Sequence, residues 1–279
     1  MSTPDRYRID SGVALVTGAA SGMGASMARL LAERGSNLAL ADKDKDGLSG
    51  VASALQEAYP GLQISSYALD LGESEAGAEL VAGAMADHGR LTLVINNAGV
   101  ALAGRFEQLS MDDVDWLLAI NLRGVLAVTS AALPHLDRGA HITNMSSLFG
   151  IIAPPGNSVY SASKFGIRGF SSALRQELQP RGIGVTSVHP GGIRTAIART
   201  ARIGSGVTPQ EWDAGLAIFE KFLVIDPDDA AALIIRGTER RKPRVLIGPE
   251  AYAGDVLSRI APVGYEKVFE TLMRWKAKA

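Results

Sequence analysis

A tyrosine and a lysine stand four residues apart in "YSASK", residues 160–164, where a loop ending in "PPGNSV" gives way to the helix-prone run "FGIRGFSSALRQEL". At about 3.6 residues per turn that spacing puts Tyr160 and Lys164 on one side of a helix, roughly 6 Å apart along its axis. Taken alone, the pair reads as an ordinary half-exposed contact. The chemical reading is that a phenol, with an unperturbed pKa of about 10, is a poor base at neutral pH unless a neighbouring cation favours its phenolate. Ser147, in "NMSS", precedes the pair at the end of an apolar run. From there its hydroxyl can converge with the phenol on one oxygen, although a lone serine at a strand end is ordinarily a polar terminator.

Positioning three such groups needs a scaffold, and the pattern of the chain supplies one. From Val13 onward, short aliphatic runs alternate with longer amphipathic segments. That is the pattern of βαβ units around a parallel sheet. The expected strands are "VALVT", "NLALA", "QISSYAL", "LTLVIN", "AHITNMS", "GVTSVH" and "RVLIG". Expected helices cover 23–34, 46–59, 73–87, 111–136 and 159–179, with two more between Thr208 and Arg240. The fold class is therefore α/β: a doubly wound Rossmann arrangement whose seven strands are covered by helices on both faces. No repeat or spacer divides the chain. It reads as a single domain over 1–279, with a substrate-binding segment at about 195–225 and a C-terminal helical extension at about 250–279.

Composition narrows the ligands. The chain has 28 Lys plus Arg against 29 Asp plus Glu, a balance that argues against reliance on a nucleic-acid backbone or an anionic membrane. The basic cluster "ERRKPR", 239–244, reads as a solvated turn. Cysteine is absent, which removes thiolate nucleophiles and Cys-ligated metals and suits an intracellular protein. His88, His135, His141 and His189 show no metal-ligand spacing, so no metal is expected. The polar start "MSTPDRYRID" is unlike a secretory signal and no apolar run suggests a membrane span, so the expected location is the cytoplasm.

The first strand runs into "TGAASGMG", 17–24, and then directly into a helix. Gly18, Gly22 and Gly24 let the backbone turn tightly and approach a pyrophosphate, at which the helix N-terminus aims free N–H groups. The second strand ends at Asp42, eighteen residues past Gly24. A carboxylate there accepts hydrogen bonds from ribose hydroxyls and repels a 2′-phosphate, which favours NAD over NADP. Lys43 could soften that repulsion, and Asp42 could instead cap the acidic turn that follows.

With these stretches stand Asp70 in "LDL", "NNAG" at 96–99, Asn121 in "INLRG" and "PGGIRT" at 190–195. Together, in order and spacing across roughly residues 10–250, they resemble the short-chain dehydrogenase/reductase family. The resemblance implies Tyr160 as catalytic acid/base, Lys164 as its electrostatic partner, Ser147 as donor to the substrate oxygen and Asn121 as support for a water relay to Lys164. It implies a dinucleotide held by Gly18, Ser21, Gly22, Met23, Gly24, Asp42, Lys43, Asp70, Leu71, Asn97, Ala98, Gly99, Tyr160, Lys164, Pro190, Gly191, Ile193 and Thr195. Within that set, Asp70 and Leu71 border the adenine, Asn97 lies beyond the pyrophosphate, and Ile193 with Thr195 holds the nicotinamide carboxamide. It also implies a homotetramer or homodimer.

The reaction so implied is NAD-dependent interconversion of a secondary alcohol and a ketone. An NADP-dependent carbonyl reductase and a non-catalytic NAD sensor or scaffold are the alternatives. Leu102, Leu148, Phe149, Ile152, Ile197, Ile203, Trp212 and Phe219 are expected around the substrate and favour a largely apolar one. Arg199 and Arg202 could meet a carboxylate or face water. The final "YEKVFETLMRWKAKA" reads as core or subunit packing.

Overall fold

The computed structural model describes residues 6–268. In chain order its elements are β1 (Val13–Thr17), α1 (Gly22–Glu33), β2 (Asn37–Asp42), α2 (Lys45–Ala58), β3 (Ile64–Ala68), α3 (Ala76–His88), β4 (Leu91–Asn96) and the short β5 (Leu102–Ala103). Then come α4 (Met111–Leu118), a π-helical segment (Ala119–Gly124), α5 (Val125–Ala132), β6 (Leu136–Met145) and α6 (Ser158–Leu178). The chain continues through β7 (Gly184–Pro190), the short β8 (Arg202–Ile203), α7 (Pro209–Glu220), α8 (Pro227–Glu239), β9 (Arg244–Ile247) and α9 (Pro249–Ile260).

Seven strands form one parallel sheet in the order β3-β2-β1-β4-β6-β7-β9. Strand order reverses between β1 and β4, and the loops leaving those two strands carry the glycine turn and "NNAG". A crevice at such a switch point is where open α/β sheets bind ligands. The second sheet, β5 with β8, was not expected from the sequence; two residues per strand leave no periodicity to read.

Alternation along each strand divides the core in two. Ala14 and Val16 of β1 face one layer, with Met27, Leu31, Leu40 and Ile234; Val13 and Leu15 face the other, with Leu80, Val81, Val128 and Leu174. Both faces are covered, which explains why the strands read as unbroken aliphatic runs.

Across the second layer runs a buried polar chain. The Asn96 amide donates to Thr129 Oγ1 at 3.0 Å and to Asn144 Oδ1 at 2.8 Å. Asn144 donates to Ser171 Oγ at 3.0 Å, and Ser171 donates to the Ile167 carbonyl. Paired polar groups of this kind fix β4, α5, β6 and α6 in one register, because sliding any of them would strand a buried amide.

The helix expected over 111–136 forms, but a π-helical stretch interrupts it at Ala119–Gly124. Residues 111–135 are long and apolar enough to cross a membrane by length and composition, which corrects the expectation that no apolar run suggests a membrane span. Along one side of this run Leu117, Asn121, Val128 and Ala132 are fully buried against neighbouring elements.

Glycine is required where α1 leaves β1. A Cβ on Gly24 would lie 1.9 Å from the Gly18 carbonyl oxygen, whereas a Cβ on Gly50, exposed in α2, meets nothing. Gly24→Ala is therefore expected to lower unfolding free energy by about 1–3 kcal/mol through overpacking. Gly50→Ala should raise it by about 0.5–1 kcal/mol through helix propensity. Urea unfolding of both variants checks the opposite signs.

Candidate active site

The turn between β1 and α1 is built by backbone conformation. Gly18 and Gly22 have φ of +67° and +53°, which side chains with a Cβ resist. Ser21 precedes α1 in an extended conformation and its hydroxyl does not cap the helix. Behind the turn, Thr17 Oγ1 accepts the N–H groups of Asn97 and Ala98, each at 3.0 Å. The Asn97 side chain donates to the carbonyls of Thr17 and Gly18 at 2.9 and 3.0 Å, so it braces the turn. Opposite lies Thr195, whose methyl group would be 3.2 Å from a Cβ on Gly22.

Asp42 ends β2 beside this turn. Its carboxylate accepts from Ala20 N–H and from Asp44 N–H, both at 3.0 Å. Asp42 thus does cap the turn that follows it, through Asp44 N–H, while the cap of α2 itself is Asp44, which accepts from Gly47 N–H at 3.1 Å. Lys43 is exposed next to Asp42. Asp70, exposed just after β3, accepts from Gly72 N–H at 2.8 Å, and Leu71 packs beside Gly124.

The Tyr160 group gathers where β6 and α6 meet. Lys164 is buried, and its ammonium donates to the Met145 carbonyl at 3.1 Å. Ser146 Oγ donates back to the Lys164 carbonyl at 2.8 Å. Gly150 must be glycine for this approach, since a Cβ there would lie 2.2 Å from Ser146 Oγ. Lys164 Nζ sits 5.6 Å from the Tyr160 ring centre. Burial pushes the Lys164 ammonium down to about 8. Burial likewise raises the Tyr160 phenol above its ordinary value, and its hydrogen bond with Ser147 lowers it only in part. The protein groups by themselves thus leave Tyr160 protonated at neutral pH.

Ser147 has a defined polarity. Its Oγ accepts the Phe149 N–H at 3.1 Å, which leaves its own proton free to be donated. Asn121, in the π-helical segment, is fully buried, and its side chain both donates to and accepts from the Val100 backbone at 2.8 Å. One N–H and one lone pair of its amide therefore hold the segment just after "NNAG". Gly99 lies between them: a Cβ there would be 3.3 Å from Asn121 Oδ1 and 3.4 Å from Lys164 Nζ.

Tyr160, Ser147 and Lys164 open onto a cavity of about 330 Å³ that Met23, Asn97, Gly99, Pro190, Gly191, Ile193 and Thr195 also line. Of the apolar residues expected there, Leu148, Phe149, Ile152, Ile197 and Phe219 are present. Leu102, Ile203 and Trp212 are not: Leu102 is buried with Val114, Leu117 and Val159, and Ile203 is exposed on β8. Nor do the two arginines reach it. Arg199 pairs with Glu220 at 2.7 Å, while Arg202 stacks 3.9 Å from the Trp116 ring centre and lies 3.6 Å from Asp113.

Sequence reasoning missed the far wall. Ala253, Gly254, Leu257, Tyr265 and Val268 line the cavity, with Glu250 accepting the Gly192 N–H at 2.7 Å. Tyr265 accepts the Ala153 N–H at 3.3 Å. No motif marks these residues; the only available signal was the aromatic and aliphatic spacing that was read as core or subunit packing. The remainder of the expected C-terminal helical extension, 269–279, lies outside the described residues, as do residues 1–5.

The profile of the short chain dehydrogenase family matches residues 12–205. A Mycobacterium tuberculosis protein named "Putative oxidoreductase SadH" is 40% identical over 261 residues, which cover 92% of this chain and 93% of SadH. Among solved structures, a short-chain dehydrogenase/reductase from Burkholderia phymatum in complex with NAD aligns with a TM-score of 0.83 at 25% identity, over 91% of this chain and 95% of that one. A short-chain dehydrogenase from Burkholderia cenocepacia in complex with NADP aligns at 0.76 and 29%, over 88% and 99%. Since the matched span takes in the glycine turn, Ser147 and the start of α6 alike, the chain belongs to the short-chain dehydrogenase/reductase family and is one of its oxidoreductases.

Proposed function

We propose that the protein interconverts a largely apolar secondary alcohol and its ketone, with Tyr160 carrying the proton and NAD as the preferred dinucleotide. The observation that carries this reading is the convergence of the Tyr160 phenol, the Ser147 hydroxyl and the Lys164 ammonium on a cavity walled by Leu148, Phe149, Ile152, Phe219 and Leu257. When bound, the dinucleotide supplies or accepts the hydride. In the reductive direction Tyr160 gives its proton to the carbonyl oxygen while Ser147 donates a hydrogen bond to the same atom. In the oxidative direction Tyr160 takes the alcohol proton. The ammonium of Lys164 favours the phenolate that forms or is consumed.

Residues fit the dinucleotide at two points. Gly18 and Gly24 let the turn pack directly on Asn97 and Ala98, and Gly22 faces Thr195 across it, so a tight turn of bare backbone precedes the N-terminus of α1, suited to a pyrophosphate. The Asp42 carboxylate, tied to Ala20 N–H, brings negative charge to the position where a ribose hydroxyl is welcome and a 2′-phosphate is not. Exposed Lys43 beside it favours the second reading, an NADP-dependent carbonyl reductase. Ser21, Met23, Asp70, Leu71, Asn97, Ala98, Pro190, Gly191, Ile193 and Thr195 complete the proposed dinucleotide site. We assign Asn121 the support of the Gly99–Val100 backbone beside Lys164. A homotetramer or homodimer is proposed on family resemblance, and a cytoplasmic location on the cysteine-free sequence.

The reading is tested first by screening steroids, aryl alcohols and small diols for the near-ultraviolet absorbance of reduced nicotinamide. With any alcohol that turns over, Tyr160→Phe is expected to lower kcat by about 10²–10⁴-fold while NADH binding, read by fluorescence, is retained. A variant with near-normal kcat contradicts the assignment.

Asp42→Ala is expected to narrow the preference for NAD over NADP by about tenfold or more, measured as the ratio of the two kcat/KM values. An unchanged ratio points to the NADP reading or to another determinant.

The pH dependence follows from Lys164. Its ammonium is present below about 8 and lost above it. Ketone reduction should therefore be flat at lower pH and fall, by up to about tenfold per pH unit, as pH rises through that value. In Lys164→Met the rate should be low and this limb absent.

A further inference from the structure

The Ser147 carbonyl is held by two donors. Gly150 N–H reaches it at 3.0 Å, from within the same short turn, and His189 Nδ1 lies 3.1 Å away on β7. A carbonyl can only accept, so Nδ1 carries the imidazole proton. On the other side of the ring, Nε2 is 3.1 Å from Ser187 Oγ. His189 is completely buried, and burial pushes its imidazole down to about 4, so the ring is neutral and Nε2 accepts the Ser187 proton. The resulting chain runs in one direction, Ser187 to His189 to Ser147.

Phe149 and Gly150, the two backbone donors to Ser147, belong to the turn that Ser147 opens and would move with it. Among the described residues, the imidazole supplies the one hydrogen bond that the Ser147 backbone accepts from outside that turn. Its ring does not line the cavity, so it cannot touch substrate.

We infer that His189 is a positioning residue for the reaction: its Nδ1–H pins the Ser147 peptide to β7 and thereby aims the Ser147 hydroxyl at the oxygen that also meets Tyr160. This rests on the role proposed above for Ser147. Nothing in the imidazole's chemistry is consumed; it fixes a direction, and misdirection of about 1 Å at a reacting centre can cost roughly a hundredfold in rate.

The test uses the full chain with NADH and the ketone that corresponds to an alcohol found active in the screen. His189→Leu is expected to lower kcat by about tenfold to a hundredfold with NADH affinity unchanged, since Ser147 binds no dinucleotide. In His189→Asn the amide nitrogen falls near the place of Nδ1, and most of kcat should return. His189→Gln places its amide nearer Nε2 and should remain low. A His189→Leu variant within about threefold of wild type overturns the inference, as does an Asn variant no better than Gln. If the Leu variant does not fold, the Asn and Gln pair decides alone. Ser147→Ala separates the two claims: full turnover in that variant removes the proposed role of Ser147, whereas loss of turnover there with an intact His189→Leu removes only the tether.

Discussion

A buried ammonium is the constraint around which this site is arranged. Lys164 loses its hydration inside the protein, a cost that only close, well-directed acceptors can offset. One such acceptor is the carbonyl of Met145, the last residue of β6, and Ser146 answers by donating to the Lys164 carbonyl. The strand end and the first turns of α6 are locked together by these two bonds. Tyr160 and Ser147 then meet because each lies a few residues from the lock.

The same burial acts on the two titrating groups in opposite senses. It lowers the ammonium towards neutrality and raises the phenol away from ionisation, so the isolated site resists forming the ion pair that the proposed chemistry needs. A cationic nicotinamide is what the family's chemistry would add to that balance. The proposed reaction would then couple cofactor to proton, because an added positive charge would favour the phenolate beyond what Lys164 supplies. The polar chain from Asn96 to Ser171 and the clamped Ser147 turn keep the distances fixed while that balance shifts.

Much of this was legible in the sequence for physical reasons. Strands buried on both faces must be apolar throughout, so β1, β2 and β4 announce themselves, and positive-φ turns demand the glycines at 18 and 22. The i, i+4 spacing of Tyr160 and Lys164 is a property of any helix. What could not be read depended on contacts between distant segments. Arg199 and Arg202 look free in sequence and are paired in space with Glu220 and Asp113. Leu102 and Phe219 are both apolar, yet one enters the core and the other the cavity. Tyr265 reaches the site only because α9 turns the chain back over β9 and the Ser147 loop, a path that no local pattern encodes. The π-helical turn carrying Asn121 was invisible for a local reason: apolar periodicity does not record a single extra residue in a helix.

The most direct measurement is a spectroscopic titration of tyrosinate, taken as wild type minus Tyr160→Phe, first for the protein alone and then saturated with NAD. With the phenol raised by burial, the difference signal should ionise above about 10 in the protein alone and move to markedly lower pH when oxidised dinucleotide is bound. A Tyr160 titration that stays in place on saturation would contradict this account.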